Sequence, residues 1–171
     1  MYPEWWVGRR FDEPVDWWVA SNTGETTRDI VQRELFGPPG GLGTGMIPAR
    51  CFDGDPAPRR GVANAIDFAR IKHASGGTSL LGLKSYDQGR ERFQGTKKHG
   101  IWLDEECSAD VYDECMVRLM TTNGLMILTF TPLLGLSEIA LRFLPELAPD
   151  MDGEGAKARG SAPSPIAAIP R

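Results

Sequence analysis

The chain has 171 residues, which suits one domain with a sizeable core and is too short for two well-built ones. Its hydrophobic fraction of 41% and charged fraction of 25% are ordinary for a globular protein. The net charge of -4 excludes a surface that is basic all over, so any contact with nucleic acid must be local. The longest apolar run, at 125–128, is far too short to span a membrane.

The cysteines argue against both a zinc site and secretion. Cys51, Cys107 and Cys115 form no C-x-x-C pair, and the two histidines, His73 and His99, lie far apart in sequence. The first residues show no basic region followed by an apolar stretch, so we expect no signal peptide. An odd number of cysteines without such a signal favours a reducing, cytoplasmic location.

The first half of the chain predicts one strand and one helix before a long loop. Aromatic and β-branched residues predict a strand over 15–20. A helix is expected over 28–36, capped by Thr27 and ended by the Gly-Pro-Pro-Gly run at 37–40. Residues 37–61 are expected to be a loop. Residues 62–73 show no clean single period and could be a weak helix or partly strand.

The second half predicts a strand, helix, strand arrangement. Strands are expected over 79–86, 101–103 and 125–130, with a polar, basic stretch at 87–99 and further helices over 110–121 and 136–144. The predicted apolar face of the 110–121 helix contains Tyr112, Cys115, Met116, Leu119 and Met120, opposite a polar face of Asp113, Glu114 and Arg118. The near-continuous apolar run of the last strand is typical of a strand buried on both faces of a parallel sheet.

These elements predict an α/β fold with a parallel sheet flanked by helices, because a strand, helix and strand in succession form a βαβ unit. The domain is expected to end near residue 147. Residues 148–171 are dominated by Ala, Pro, Gly and Ser without any period, so we expect a disordered tail there.

Polar residues follow two of the predicted strands where each strand ends. Asp104 and Glu105 follow the strand at 101–103, and Thr129 and Thr131 end the last strand. Ligands of an open parallel sheet lie outside the carboxyl ends of its strands, so these side chains can face one nucleotide. We interpret the acids as a Walker B motif of a P-loop ATPase: Asp104 would hold Mg²⁺ through water, and Glu105 would activate the water that attacks the γ-phosphate of ATP. Thr129 and Thr131 would sense that phosphate.

A simpler explanation of the same acids stays open at this point. The run of three acids at 104–106 could merely open a loop or the first turn of a helix, where carboxylates suit the helix dipole.

Several segments together resemble the ATPase domain of the large terminase subunit of tailed bacteriophages. They are the run at 83–95, Gly-Ile-Trp-Leu-Asp-Glu-Glu-Cys at 100–107, Thr-Phe-Thr-Pro at 129–132, Tyr-Pro-Glu-Trp-Trp-Val-Gly-Arg-Arg-Phe at 2–11 and Gly-Thr-Gly-Met-Ile-Pro at 43–48. The resemblance covers about residues 2–147. It implies a RecA-like P-loop fold of the ASCE class and ATP-driven packaging of double-stranded DNA into procapsids.

The resemblance also implies roles and partners. Asp104 becomes the Mg²⁺ residue, Glu105 the catalytic glutamate, and 129–132 the motif that couples hydrolysis to movement. Arg90 or Arg92 could reach the phosphates of a neighbouring subunit, although a solvated basic loop or nonspecific contact with DNA phosphates explains them equally well. The implied partners are double-stranded DNA, the portal protein, the small terminase subunit and further copies in a ring.

The sequence departs from this family at one critical point. A P-loop enzyme needs G-x-x-x-x-G-K-[ST], and no such string occurs here. The glycine-rich run at 40–45 is followed by Met46 and Ile47, so we interpret it as an ordinary loop. The resemblance places the phosphate loop upstream of residue 2 and a nuclease domain downstream. We therefore expect a prophage gene fragment that is marginally stable and inactive as an ATPase by itself. The alternatives are a helicase-like ATPase piece and a non-catalytic remnant.

Overall fold

A computed structural model describes residues 10–131 and 137–143. The expected tail at 148–171 and the aromatic segment at 2–9 lie outside the described residues. Among those described, no helix is both long and apolar enough to cross a lipid bilayer.

The fold is built on one mixed sheet of six strands. They are β1 (Asp16–Ser21), β2 (Ala57–Pro58), β3 (Ile66–Lys72), β4 (Thr78–Ser85), β5 (Gly100–Asp104) and β6 (Leu125–Thr129). Their order across the sheet is β2-β3-β4-β1-β5-β6. β4, β1, β5 and β6 run parallel, whereas β2 and β3 run antiparallel to their neighbours.

The prediction of an α/β fold is confirmed, but the prediction of an all-parallel sheet was wrong. The ambiguous stretch at 62–73 contains β3, which enters β4 through a tight turn closed by a 2.8 Å bond from the His73 N–H to the Gly77 carbonyl. Two strands joined by so short a turn must pair antiparallel, because a parallel pair needs a crossover of a dozen or more residues.

The first helical segment starts earlier than the sequence predicted. An α-helical turn at Gly24–Thr26, a π-helical stretch at Thr27–Gln32 and an α-helical turn at Arg33–Phe36 follow one another without a break, and we call them together α1. Thr23 is the N-cap, since its hydroxyl accepts a 3.1 Å bond from the Thr26 N–H. The predicted cap, Thr27, lies inside the helix, where its hydroxyl donates to the Lys84 carbonyl at 2.9 Å.

The remaining helices are α2 (Ala109–Met120) and α3 (Glu138–Phe143), with short 3-10 turns at Ala49–Cys51, Tyr86–Gln88 and Arg90–Phe93. Side chains alternate across the sheet, so each face has its own core. The core under α2 contains Trp18, Ala20, Phe93, Ile101, Leu103, Cys107, Val111, Cys115 and Leu119. The core under α1 contains Val19, Val31, Phe36, Phe52, Ala69, Leu81 and Leu83.

One glycine lets β1 and β5 approach closely. A Cβ on Gly100 would lie 2.2 Å from the indole of Trp17, its register partner on β1. Only a residue without a side chain leaves room for that ring, so Gly100 fixes the start of β5 against β1.

The predicted apolar face of α2 was partly wrong. Met116 and Met120 are exposed, at 40% and 74%, while Glu114 from the predicted polar face is 5% exposed. The buried stripe follows i, i+4, i+8 spacing through Val111, Cys115 and Leu119. Glu114 can be buried beside it because two arginines neutralise its carboxylate.

The prediction that the last strand is buried on both faces was also wrong. β6 pairs only with β5 among the described residues, and its side chains are half-buried up to Thr129, which is exposed. A strand at the edge of a sheet lacks a neighbour on one side, and an apolar composition alone cannot distinguish it from a central strand.

Candidate functional site at the carboxyl edge of the sheet

The two predicted acids stand where the sequence placed them, at the end of a strand beside the last strand of the sheet. Asp104 is the final residue of β5 and pairs in register with Thr129, the final residue of β6. The neighbouring pair, Leu103 with Ala20, continues the same edge onto β1. The carboxyl ends of three parallel strands thus meet around the acids.

A chain of two hydrogen bonds leads to the Asp104 carboxylate. The indole Nε1–H of Trp102 donates to Thr129 Oγ1 at 2.7 Å, and Thr129 Oγ1 donates to Asp104 Oδ1 at 2.8 Å. Residues 102 and 104 project from the same face of β5 because side chains alternate along a strand. Thr129 joins that face because it is the register partner of Asp104.

The backbone at Glu105 is held in an unusual conformation. Its φ of +66° lies in the left-handed region, which costs a residue other than glycine about 1 kcal/mol or more. The Glu105 N–H donates to the Thr129 carbonyl at 2.8 Å, so the turn is tied to the end of β6. This conformation turns the chain sharply as it leaves β5.

The hydroxyl of Tyr86 lies among the strand ends on the α2 side. Its oxygen is 3.0 Å from the Asp104 carbonyl and 3.3 Å from the carbonyls of Ala20 and Glu105. Burial raises the pKa of Tyr86 well above its ordinary value, so the phenol stays protonated and donates. Tyr86 therefore links the end of β1 to the end of β5.

A pocket of about 460 Å³ opens at this edge. It is lined by Asn22, Glu105, Glu106, Cys107, Ser108, Thr131 and Ser137. Glu105 and Thr131, both predicted site residues, line the pocket. Asp104 and Thr129 do not line it and are hydrogen-bonded to each other on the face of β5 that carries Trp102. One oxygen of Glu106, Oε1, is buried and has no hydrogen-bond partner among the described residues.

The oxygen atoms at this edge are of the chemical kind that Mg²⁺ prefers. Carboxylates and hydroxyls are the ligands that Mg²⁺ prefers, and Mg²⁺ commonly takes one or two carboxylates with the rest from phosphates and water. Residues 10–131 and 137–143 contain no group of three or more His, Cys, Asp or Glu side chains able to hold a metal ion. The orphaned Glu106 oxygen leaves one further acceptor for a bound water.

The two predicted arginines lie away from these acids. Both belong to the 3-10 turn Arg90–Phe93, which is anchored by the fully buried ring of Phe93. Arg90 Nε is 3.0 Å from Glu114 Oε2 on α2, while Arg92 is exposed. Neither lines the edge pocket, and a contact with a neighbouring subunit stays a prediction.

Sequence reasoning did not find Tyr86, Trp102 or Glu106 as site residues. A signal existed for Trp102, because it precedes Asp104 by two positions in a strand and must share its face. Tyr86 gave no such signal, since only the folding of β4 beside β1 brings it to this edge.

Comparisons with known proteins agree with the resemblance seen in the sequence. The family model described as "Terminase large subunit, T4likevirus-type, N-terminal" matches residues 13–170. The chain is 38% identical over 148 residues to the "Terminase, large subunit" of Salmonella phage P22, a match that covers 81% of this chain and 29% of that protein. The chain thus spans less than a third of this relative's length, and no solved structure matches it. A family model that covers nearly all of the described residues, together with this identity, shows that the chain belongs to the terminase large-subunit family.

Proposed function

We propose that this chain supplies the hydrolytic strands of an ATP-driven motor that packages double-stranded phage DNA into procapsids. The observation that carries the proposal is the register of Asp104 beside Thr129, with Glu105 and Thr131 lining a pocket at the same edge. Ligands of such sheets lie at this edge. Membership of the terminase large-subunit family supports the same function.

In the proposed mechanism, each polar residue at the edge has one task. Asp104 would hold Mg²⁺ through water, and Glu105 would accept a proton from the attacking water, a task that typically contributes about 10²- to 10⁴-fold in rate. Thr129 and Thr131 would contact the γ-phosphate region of ATP. A bound Mg²⁺ would neutralise the charge that develops on the phosphates.

This sequence contains no G-x-x-x-x-G-K-[ST] string, so we propose that the phosphate loop is supplied by another segment. β6 pairs only with β5 among the described residues, so a strand that carries such a loop can add at its outer edge, next to Thr129. We propose that this addition completes a RecA-like P-loop core.

The partners follow from the same proposal. A complete subunit would act in a ring on the portal protein, with the small terminase subunit and double-stranded DNA, in the cytoplasm of a bacterial host. The chain by itself would bind ATP negligibly and release no phosphate, as a non-catalytic remnant also would.

Two measurements on the purified chain test its inactivity. Calorimetry with ATP and Mg²⁺ should show no heat of binding, and a phosphate-release assay should give no signal above buffer. Steady release that Glu105→Gln abolishes would contradict the proposed dependence on an external phosphate loop.

A chimera tests the catalytic roles. The segment of the P22 large subunit that aligns with this chain is replaced by this chain's segment, and ATP turnover and DNA packaging are measured. The wild-type chimera should turn over ATP, and Glu105→Gln should lower turnover by about 100-fold or more while nucleotide binding persists. Glu34→Gln, at an exposed position on α1, is the matched control and should change neither. A folded chimera that binds ATP but does not hydrolyse it would refute the proposal.

The same chimera separates the two arginines. Arg92→Ala subunits mixed with wild-type subunits should lower ATP turnover of the ring if Arg92 reaches a neighbour's phosphates. Unchanged turnover at every mixing ratio would leave Arg92 as a solvated or DNA-contacting residue. Arg90→Ala needs a stability measurement in parallel, because Arg90 also pairs with the buried Glu114.

A further inference from the structure

The direction of both hydrogen bonds between Trp102, Thr129 and Asp104 is fixed by chemistry. An indole N–H can only donate, and an ionised carboxylate can only accept. Thr129 has a single hydroxyl proton, so it must accept from Trp102 and donate to Asp104. The arrangement allows no reversed alternative while Asp104 is charged.

The position of Trp102 is itself set by the core. Its ring is half-buried and packs against the cluster under α1, beside Trp17, Leu35 and Ile47. The ring contacts this cluster on one side and borders an apolar groove on the other, and its Nε1–H is directed at Thr129 Oγ1. Packing on the α1 face of the sheet thereby helps to place the Trp102 Nε1–H beside Thr129.

The second oxygen of Asp104 is left for a ligand. Asp104 Oδ1 receives the Thr129 hydroxyl at 2.8 Å, whereas Oδ2 makes no hydrogen bond among the described residues. A carboxylate fixed at one oxygen presents the other in a defined direction, and partners of this kind commonly determine metal affinity.

We infer that Trp102 is a positioning residue for Asp104 and acts through the Thr129 hydroxyl. The core under α1 thereby orients the carboxylate that would hold Mg²⁺. The inference rests on the proposed function for the role of Asp104. It assigns to Thr129 a hydrogen bond within the site, in addition to its proposed nucleotide contact. Removing the Trp102 indole or the Thr129 hydroxyl should let the Asp104 carboxylate rotate while it keeps its charge.

Nuclear magnetic resonance of the purified protein tests the two hydrogen bonds directly and needs no ATP turnover. The chain has five tryptophans, and Trp102→Phe identifies the indole N–H signal of Trp102 by its disappearance. Asp104→Ala should shift that signal upfield, because the charge of the Asp104 carboxylate polarises both hydrogen bonds. The shift should vanish in a Thr129→Val background and persist with Thr129→Ser. Asp87→Ala, which removes an exposed carboxylate elsewhere, is the charge control. No response of the Trp102 signal to Asp104→Ala would overturn the inference.

The chimera tests how the Mg²⁺ requirement of ATP turnover depends on these hydrogen bonds. Trp102→Phe and Thr129→Val should raise the Mg²⁺ concentration for half-maximal ATP turnover by about 10-fold, as loss of a ligand's supporting partner typically does. Thr129→Ser should restore the wild-type value. Thr78→Val is the matched control, because it removes a threonine hydroxyl that donates to Asp53 at the opposite end of β4, and it should leave the Mg²⁺ requirement unchanged.

The two proposals can fail separately. A chimera with normal turnover whose Mg²⁺ requirement ignores Trp102→Phe overturns the positioning role and leaves the proposed function intact. A folded chimera that binds ATP but does not hydrolyse it, whatever residue stands at 102, refutes the proposed function, while the indole signal still decides whether the hydrogen-bonded chain exists.

Discussion

Tyr86 is the residue that most directly joins the strands around the site. Its hydroxyl lies within 3.3 Å of three carbonyl oxygens that belong to the ends of β1 and β5. Its ring packs against the core under α2, where it lies 6.3 Å from Phe93 between ring centroids. A single side chain thus connects the buried core to the backbone at the candidate site.

Removal of the Tyr86 hydroxyl should weaken this connection measurably. We expect Tyr86→Phe to lower the free energy of unfolding by about 1 kcal/mol, because buried carbonyls lose a donor while the ring packing stays. Urea denaturation measures the change. Tyr112→Phe is the control, because the Tyr112 hydroxyl makes no hydrogen bond within residues 10–131 and 137–143, and it should alter stability by less. Equal effects of the two substitutions would show that the Tyr86 hydroxyl contributes nothing.

Two of the three thiols are removed from solvent by the fold. Cys107 and Cys115 are buried in the core under α2, at 5% and 0% exposure, whereas Cys51 is half-exposed. Burial raises the pKa of Cys107 from 9.0 to about 11 and also raises the pKa of Cys115. Both thiols therefore stay protonated in the folded chain at neutral pH and are poor nucleophiles.

This burial predicts a loss of stability in alkaline solution. The pKa of Cys107 is higher in the folded chain than in the unfolded chain, so the unfolded chain binds fewer protons between pH 9 and 11. The stabilising contribution is complete below pH 9 and is lost as the pH rises to about 11. Urea denaturation across this range should show a shallower decline for Cys107→Ala than for wild type. An identical slope for both proteins would contradict this account.

The same burial predicts selective labelling. A thiol reagent at neutral pH should modify Cys51 alone in the native chain, and mass spectrometry of peptides identifies the site. Modification of Cys107 or Cys115 before unfolding would show that the core opens around them.

Among the secondary-structure elements, α2 depends on a buried carboxylate. Glu114 Oε1 is 3.0 Å from Arg118 Nη2, one turn along the helix, and Glu114 Oε2 is 3.0 Å from Arg90 Nε. Arg118 also donates from Nη1 to the Gly95 carbonyl at 2.6 Å, so it ties α2 to the loop before β5. A buried charge keeps its place only when such partners neutralise it.

Loss of Arg118 should therefore destabilise the chain more than its partial exposure suggests. We expect Arg118→Ala to lower the free energy of unfolding by about 2 to 3 kcal/mol, because Glu114 keeps only the more exposed Arg90 as a partner. Thermal and urea unfolding measure it. Arg92→Ala, at an exposed position, should stay within about 0.5 kcal/mol of wild type. A similar small effect for Arg118→Ala would mean that water, and not the ion pairs, stabilises Glu114.

On the scale of the whole molecule, the described residues leave an apolar groove along one side of the sheet. An apolar groove of about 330 Å³ runs along the α1 face and is lined by Val15, Trp17, Val19, Leu35, Ile47, Ile71, Lys72, His73, Ser79, Leu80, Leu81, Trp102 and Ile127. It ends beside β6, whose outer edge has no partner strand among the described residues. An unpaired strand edge next to apolar surface favours association with another chain.

The isolated chain should therefore self-associate in a way that a charge on β6 prevents. We expect Ile127→Lys to lower the fraction of oligomer in sedimentation velocity, because a lysine next to a strand edge opposes pairing. Val117→Lys, on the exposed face of α2, is the matched control and should leave the fraction unchanged. A wild-type chain that is monomeric at all concentrations would contradict the prediction.

The sequence by itself determined the local elements and the position of the acids. Periodicity and strand-forming residues located β1, β4, β5, β6 and α2 within one or two residues, because those signals depend only on neighbours along the chain. The order of elements placed Asp104 and Glu105 at a strand end beside Thr129. Sequence motifs spread along the chain indicated the terminase large-subunit family, which the comparisons confirmed.

Tertiary structure alone decided the direction of β3, the rotation of α2 and the edge position of β6. These depend on which strands pair and on which charges meet across elements, as the burial of Glu114 between two arginines shows. It also brought Tyr86 to the acids, since contacts between strands distant in sequence leave no pattern within either strand.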